Sequence, residues 1–318
     1  MFVFVMDQLG DGREHSATVA MMRAAAEREH SIWHCLVRDL SLIHGRVRAA
    51  ARPVIFDGGR PVLGARAELD LHRATGVLVR VDPPYDILTT TLVLEHLRGD
   101  SVLINDPRGL REANEKLYAC RFPDLMPATV VSADPERLLA FAAEQPHGAV
   151  LKPLCDFKGR GILAVNSGDP NARSIAEITT AQGSRLAMAQ AFLPEVAEGD
   201  KRILLLDGQP LGGFLRRPAD GDFRANMAVG GTVHATDLDE RDLLIVNRIA
   251  PSLRADGLHL VGIDVIGGRL TEVNVTSMAG LPQLNELTGG RHDLRIIQWL
   301  EDRSEQLAGA AQRLSRQG

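Results

Sequence analysis

The stretch "VGIDVIGGRLTEVNVTS", residues 261–277, reads as two β-strands around a Gly-Gly turn. Most of it is apolar, yet it carries Asp264, Glu272 and Asn274. Side chains alternate along a strand, so Glu272, Asn274 and Thr276 share one face, with Val273 and Val275 on the other. A half-exposed strand with a polar outer face has this pattern, and so does a site for a hard cation held by carboxylate and amide oxygens. Register decides whether Asp264 joins the other two. A two-residue Gly267-Gly268 turn pairs Asp264 with Thr271 and sends its carboxylate to the opposite face. A three-residue loop, Gly267-Gly268-Arg269, pairs Asp264 with Glu272 and gathers all three side chains. The expectation is the odd-length loop, with a glycine at positive φ as in a bulged turn.

Outward from that hairpin, the 318-residue chain suits two or three packed units. A hydrophobic content of 45% with 24% charged residues describes a globular protein, and a formal net charge of −5 argues against a nucleic-acid partner. The three cysteines, Cys35, Cys120 and Cys155, lie too far apart to suggest a disulfide framework or zinc site. "MFVFVMD" lacks a basic region and its apolar run stops at Asp7, too short for a signal peptide or membrane span. The expected location is the cytoplasm, with no membrane partner.

The first third alternates strand and helix. "FVFVMD" (2–7), "SIWHCLV" (31–37), "GVLVRVD" (76–82) and "SVLIND" (101–106) read as strands; a helix follows Ser16 as N-cap, and another lies near 88–98. This spacing predicts a parallel sheet covered by helices. After Leu125 the character changes: "PATVVS" (127–132), a helix over 134–145, "AVLKPL" (149–154) and "GILAVN" (161–166) form a small α+β unit. A third unit begins at "GDKRILLLDGQPLGGFLRR", a hairpin around Asp207-Gly208, and runs through a helix over 237–255 and the opening stretch to a closing helix.

Several cations are placed for chemistry. Lys116 falls in a predicted helix. Lys152 ends an apolar strand before Pro153, where a lysine either snorkels to water or meets a phosphate. In "CDFKGRGI", Gly159 and Gly161 alternate with Lys158 and Arg160, so backbone N–H groups and cations could approach one anion; a basic turn looks the same. Arg80 sits at a strand end before Pro-Pro, where α/β sheets bind ligands, or else in a surface ion pair. Arg202 and Arg224 are either solvated charges or, together, a site for developing negative charge. The chain has no GxxxxGK[ST] and no GxGxxG after a strand.

In order, "VMD" (5–7), "VRVDPPYD" (79–86), "NDPRGLREANEKL" (105–117), "LKPL" (151–154), "MAQAFLPE" (188–195), "EGDKRILLLDGQP" (198–210), "RANMAVGG" (224–231), the opening stretch and "NELTG" (285–289) resemble the bacterial glutathione synthetases of the ATP-grasp superfamily, nearly end to end. The resemblance implies an ATP-grasp fold: an N-terminal parallel-sheet α/β domain (1–122), a small central lid (123–192) and a C-terminal α+β domain (193–318). It implies an ATP-dependent carboxylate–amine ligase that phosphorylates the cysteinyl carboxylate of γ-glutamylcysteine and transfers the acyl group to glycine.

Carried over by position, Lys116 and Lys152 contact ATP phosphates, with Lys158, Gly159, Arg160 and Gly161 as the covering loop. That loop is expected to be mobile alone and to order over bound nucleotide. Gln190, Ala191 and Leu193 hold adenine, and Asp200 the ribose. Arg202 and Arg224 stabilise the acyl phosphate and the tetrahedral intermediate. Arg80 anchors a substrate carboxylate, with Asn226, Ser277 and Gly280 beside the substrates. Asp264, Glu272 and Asn274 hold Mg²⁺, with Mn²⁺ as an alternative. Partners are a small-molecule acid and amine, in a homodimer or homotetramer.

Two segments depart from the family pattern: Cys155, Asp156 and Phe157 open the covering loop, and Met278, Ala279 and Gln283 follow "NVTS". Two other readings stay open: a related ligase with a different acid–amine pair in a dedicated biosynthetic pathway, and a nucleotide-binding protein without turnover.

Overall fold

The computed structural model describes residues 1–10, 16–156 and 159–315. The chain builds three sheets in sequence order.

The first sheet comprises β1 (Phe2–Met6), β2 (Ile32–Cys35), β3 (Leu40–Ile43), β4 (Arg46–Asp57), β5 (Arg60–Leu63), β6 (Ala67–Asp70), β7 (Gly76–Arg80) and β8 (Val102–Ile104). Its centre, β2-β1-β7-β8, is parallel as expected. The helices between these strands are α1 (Ala17–Glu27), α2 (Ile87–Leu94) and α3 (Pro107–Glu112). Ser16 caps α1 as predicted, its Oγ accepting from the Val19 N–H at 3.2 Å. An antiparallel extension, β3 to β6, was not read from the sequence. In β4, "RVRAAAR" buries Val47, Ala49 and Ala51 on one face and turns Arg46 and Arg52 to solvent, a period-2 pattern written mostly in alanine.

The second sheet, in order β11-β10-β12-β9, contains β9 (Thr129–Ser132), β10 (Ala149–Pro153), β11 (Leu163–Val165) and β12 (Ala187–Ala191), backed by α4 (Pro135–Glu144) and α5 (Ala172–Thr179). Its core is self-contained and small: Leu138, Ala142, Ala149, Leu151, Val165, Ala176, Ala187 and Ala189. The opposite face, carrying Val150, Lys152 and Gln190, is left to a cleft.

The third sheet runs β15-β14-β13-β16-β17, from β13 (Asp200–Leu206), β14 (Gln209–Arg217), β15 (Thr232–Ala235), β16 (Leu260–Ile266) and β17 (Arg269–Asn274). Helix α6 (Glu240–Ala255) packs behind it; α7 (Leu281–Thr288) and α8 (His292–Ser315) close the chain. Unlike the second sheet, it shares its core with the first. Val3, Val77 and Val79 pack in one cluster with Ile203, Ile263 and Val273.

Asp264 faces Glu272, as expected, but by a different device. The turn is the two-residue Gly267-Gly268, with Ile266 opposite Arg269 and both glycines at positive φ, 53° and 68°. A β-bulge beyond Leu270 makes Thr271 the extra residue and restores Asp264 to the face of Glu272 and Asn274. The odd-length loop is therefore corrected to an even turn plus a bulge, which Thr271 stabilises by donating from Oγ1 to the Asp264 carbonyl at 3.1 Å.

Beyond the hairpin, Gly280 caps α7 at φ 104°, and a Cβ there would lie 2.3 Å from Cζ of the buried Phe214 ring. Gly280→Ala should combine backbone strain with overpacking and cost about 2–5 kcal/mol in chemical denaturation. Unchanged stability would contradict this packing.

Candidate active site

A cleft between the second and third sheets collects most of the predicted residues. Lys116, Lys152, Gly159, Arg160, Gln190, Ala191, Leu193, Asp200, Arg202, Arg224, Asn226, Ser277 and the Asp264–Glu272–Asn274 trio all line it. Lys158 and Phe157 lie outside the described residues.

Its floor is a buried charge network built by register. Asp200 stands opposite Arg216 on β13 and β14, and Arg202 opposite Asp264 on β13 and β16. Arg202 grips the Asp264 carboxylate with two N–H groups, Nε to Oδ1 and Nη2 to Oδ2, the second at 2.9 Å. Arg216 bridges Asp200 and Asp264, reaching the latter at 3.0 Å. Burial alone would raise the Asp264 pKa, but Arg202 and Arg216 hold it far below the usual carboxylate range. Asp200 has only part of one arginine, and burial pushes it up to about 6. One oxygen of Asp200 and Nε of Arg216 are buried without a hydrogen-bond partner.

On the walls, the Lys152 ammonium donates to Gln190 Oε1 at 2.7 Å, and burial lowers its pKa. Lys116 was expected in a helix, but it sits in the turn after α3. Asn114 Oδ1 caps the N–H groups of Lys116 and Leu117 at 3.1 Å and starts that turn. The Lys116 ammonium then donates to the Asp156 carbonyl at 2.6 Å and lies 3.4 Å from Glu272. Arg224 pairs with Asp222 and donates to the Gly159 carbonyl at 3.3 Å. The covering loop is thus tied at Asp156 to Lys116 and at Gly159 to Arg224.

Three predicted residues lie off the cleft wall. Arg80 is buried behind Met278, donating to its carbonyl at 2.6 Å and to Thr18 Oγ1 at 3.3 Å, and burial pulls its pKa down to about 10. Gly161 lies against Pro153, and Gly280 against Phe214, so each has a packing reason for its place. Of the divergent residues, Met278 is core, and Ala279 reaches the cleft while Gln283 does not.

Sequence reading missed two residues. Arg216 follows Phe214 and Leu215, and strand alternation in "FLRR" puts one of its two arginines inward. Glu115, beside Lys116, lines the cleft with its carboxylate near the Thr276 N–H, at 3.4 Å. Burial, then the charge of Glu272, pushes it up to about 7.

The donor set fits a hard cation that shares phosphate oxygens. Asp264, Glu272 and Asn274 face the cleft together, yet both Asp264 oxygens already accept from arginine, leaving Glu272 as the more available carboxylate. Among the described residues, no group of three or more His, Cys, Asp or Glu side chains could hold a metal alone. Phosphate oxygens would have to complete such a shell, the usual arrangement for Mg²⁺.

This architecture is the ATP-grasp fold. It matches D-cycloserine synthetase DcsG (TM-score 0.65, 16% identity, 95% of this chain and 99% of that one) and a RimK domain ATP-grasp protein from Sphaerobacter thermophilus (TM-score 0.61, 19% identity, 93% and 97%). Residues 1–111 match the prokaryotic glutathione synthetase N-terminal domain and 115–289 the prokaryotic glutathione synthetase ATP-grasp domain. A glutathione synthetase from Synechocystis sp. is 46% identical over 303 residues, covering 90% of this chain and 94% of that protein. The chain belongs to the prokaryotic glutathione synthetase family, and it is an ATP-dependent ligase. No helix among the described residues is long and apolar enough to cross a membrane.

Because the folded pKa of Glu115 is raised, its ionisation costs stability, and the cost grows as pH rises from about 4.5 to about 7. Glu115→Gln should therefore stabilise the ligand-free protein by roughly 1–3 kcal/mol above pH 7 and leave it unchanged near pH 4. Thermal unfolding at the two pH values checks this; an equal shift at both would contradict it.

Proposed function

We propose that the chain joins γ-glutamylcysteine to glycine, with ATP converted to ADP and phosphate. The family membership motivates the substrates, and the buried Asp200–Arg216–Asp264–Arg202 network at the floor of a Lys-lined cleft carries the chemistry. A carboxylate is a poor electrophile because its oxygen leaves badly. Phosphorylation supplies a leaving group, and fixed cations spread the charge that moves during transfer.

In this reading Lys116 and Lys152 bind phosphates, with Gly159, Arg160 and the neighbouring Lys158 and Gly161 over them. Gln190, Ala191 and Leu193 take adenine, and the free Asp200 oxygen faces the ribose. Arg202 and Arg224 stabilise the acyl phosphate and tetrahedral intermediate, and Arg216 joins them. Asp264, Glu272 and Asn274 would hold Mg²⁺ or Mn²⁺, which neutralises phosphate charge when bound. Asn226 and Ser277 sit beside the substrates, with Gly280 shaping that wall. Arg80 is a buried cation whose bonds are to a carbonyl and a hydroxyl, and a substrate carboxylate that displaced the Met278 carbonyl would meet it.

The segment 123–192 would be the lid, supported by its separate alanine-rich core, between an N-terminal domain to residue 122 and a catalytic domain from 193. Exposed Leu42 and Ile43 on β3 and Leu88 and Leu92 on α2 support assembly into a homodimer or homotetramer. The cytoplasm, where ATP is abundant, suits the reaction.

The test is ADP formation with ATP and Mg²⁺ against a panel of acids and amines. ADP that depends on γ-glutamylcysteine and glycine together is the expected result. Dependence on another pair would keep the ligase and replace its substrates.

Lys152→Ala should keep the fold and lose about 1.5–3 kcal/mol of ATP binding by titration calorimetry. Unchanged affinity would remove Lys152 from the phosphate site. Hydrogen exchange at residues 155–161 should slow when ATP and Mg²⁺ are added, and equal exchange in both states would refute closure of the loop.

A further inference from the structure

Glu115 is a buried cleft carboxylate to which the scheme above gives no role. Its neighbours are all spoken for. Arg202 and Arg216 neutralise Asp264, Arg216 also holds Asp200, and Lys116 stands beside Glu272. Among the described residues, Glu115 has no ion-pair partner. Its side chain accepts from the Thr276 N–H over a long 3.4 Å.

The backbone holds this carboxylate in place. The Val273 N–H donates to the Glu115 carbonyl at 3.0 Å, pinning the turn to β17 between Glu272 and Asn274. The side chain therefore lies next to the trio and reaches the Thr276 N–H, in the cleft that Ser277 and the divergent Ala279 also line. Close by, the Tyr85 hydroxyl is buried without a partner and feels the Glu115 charge. A desolvated carboxylate with spare acceptor capacity calls for a cationic donor, which the described residues do not supply.

We infer that Glu115 receives the ammonium group of the incoming amine substrate. This rests on the ligase reading above and deepens it. An amino acid nucleophile arrives protonated at neutral pH, into a cleft where Asp200, Asp264 and Glu272 already stand beside Arg216, Arg202 and Lys116. Glu115, a carboxylate without an ion pair among the described residues, provides an attractive point for that charge. The cation would in turn offset the cost of burying Glu115.

The test separates charged from uncharged nucleophiles. Glu115→Gln keeps the acceptor for the Thr276 N–H and removes only the charge. It should raise the KM for glycine ~10- to 100-fold, with the KM values for ATP and γ-glutamylcysteine within about twofold of the unaltered chain. Hydroxylamine is uncharged at neutral pH, so hydroxamate formation from the acyl phosphate should persist in the variant. An unchanged glycine KM in folded Glu115→Gln would overturn the inference. So would parallel loss of hydroxamate and glutathione formation, or a raised Mg²⁺ requirement without a change in glycine KM. No hydroxamate from the unaltered chain would overturn the ligase reading itself.

Discussion

Two arginines and two aspartates, buried together at the cleft floor, are the constraint around which the third sheet is built. Their charges balance, so the group is tolerable in the interior only when complete. Removal of one member leaves an uncompensated buried charge, typically a loss of about 3–5 kcal/mol. Three adjacent strands must therefore keep their register to a single residue. The bulge at Thr271 is the local consequence, because it carries Glu272 to the face of Asp264 without lengthening the Gly267-Gly268 turn. The network also leaves Asp200 Oδ1 and Arg216 Nε without partners. That is hydrogen-bonding capacity, on two residues that line the cleft, which the fold does not satisfy.

The remaining architecture divides stability from mobility. The first and third sheets share one aliphatic core, which fixes the floor. The second sheet is backed by its own short helices over a core of mostly alanine, so its attachment to the rest is slight. Lys116 and Arg224 each donate to a carbonyl of the covering loop, at Asp156 and Gly159. Those donors would exchange backbone carbonyls for phosphate oxygens as nucleotide enters, and the loop would close over an intermediate that water otherwise hydrolyses.

Much of this was legible in the sequence, where local periodicity and face alternation carry the signal. The parallel β2-β1-β7-β8 centre, the Ser16 cap and the shared face of Glu272 and Asn274 follow from spacing alone. Several features did not, each for a physical reason. The β4 strand hides its period-2 pattern in alanines, which favour helix. Lys116 reads as helical because "REANEKL" is made largely of helix formers, but the Asn114 side chain captures two N–H groups and begins a turn. The hairpin's face was right and its turn wrong, because two arrangements satisfy the same alternation and only the packing of Leu270 in the core selects the bulge. Arg80 reads as a ligand contact at a strand end, yet the Met278 carbonyl already occupies it. Arg216 and Glu115 matter through partners remote in sequence: alternation in "FLRR" turns one arginine inward but does not say what it meets.

The central claim is that this charged cleft activates a carboxylate by phosphorylation before the amine attacks. Transfer of an oxygen isotope tests it directly. With γ-glutamylcysteine labelled by oxygen-18 in its cysteinyl carboxylate, one labelled oxygen should appear in the inorganic phosphate released with each glutathione formed. Phosphate without label, while glutathione still forms, would contradict the acyl phosphate and with it the role assigned to the network.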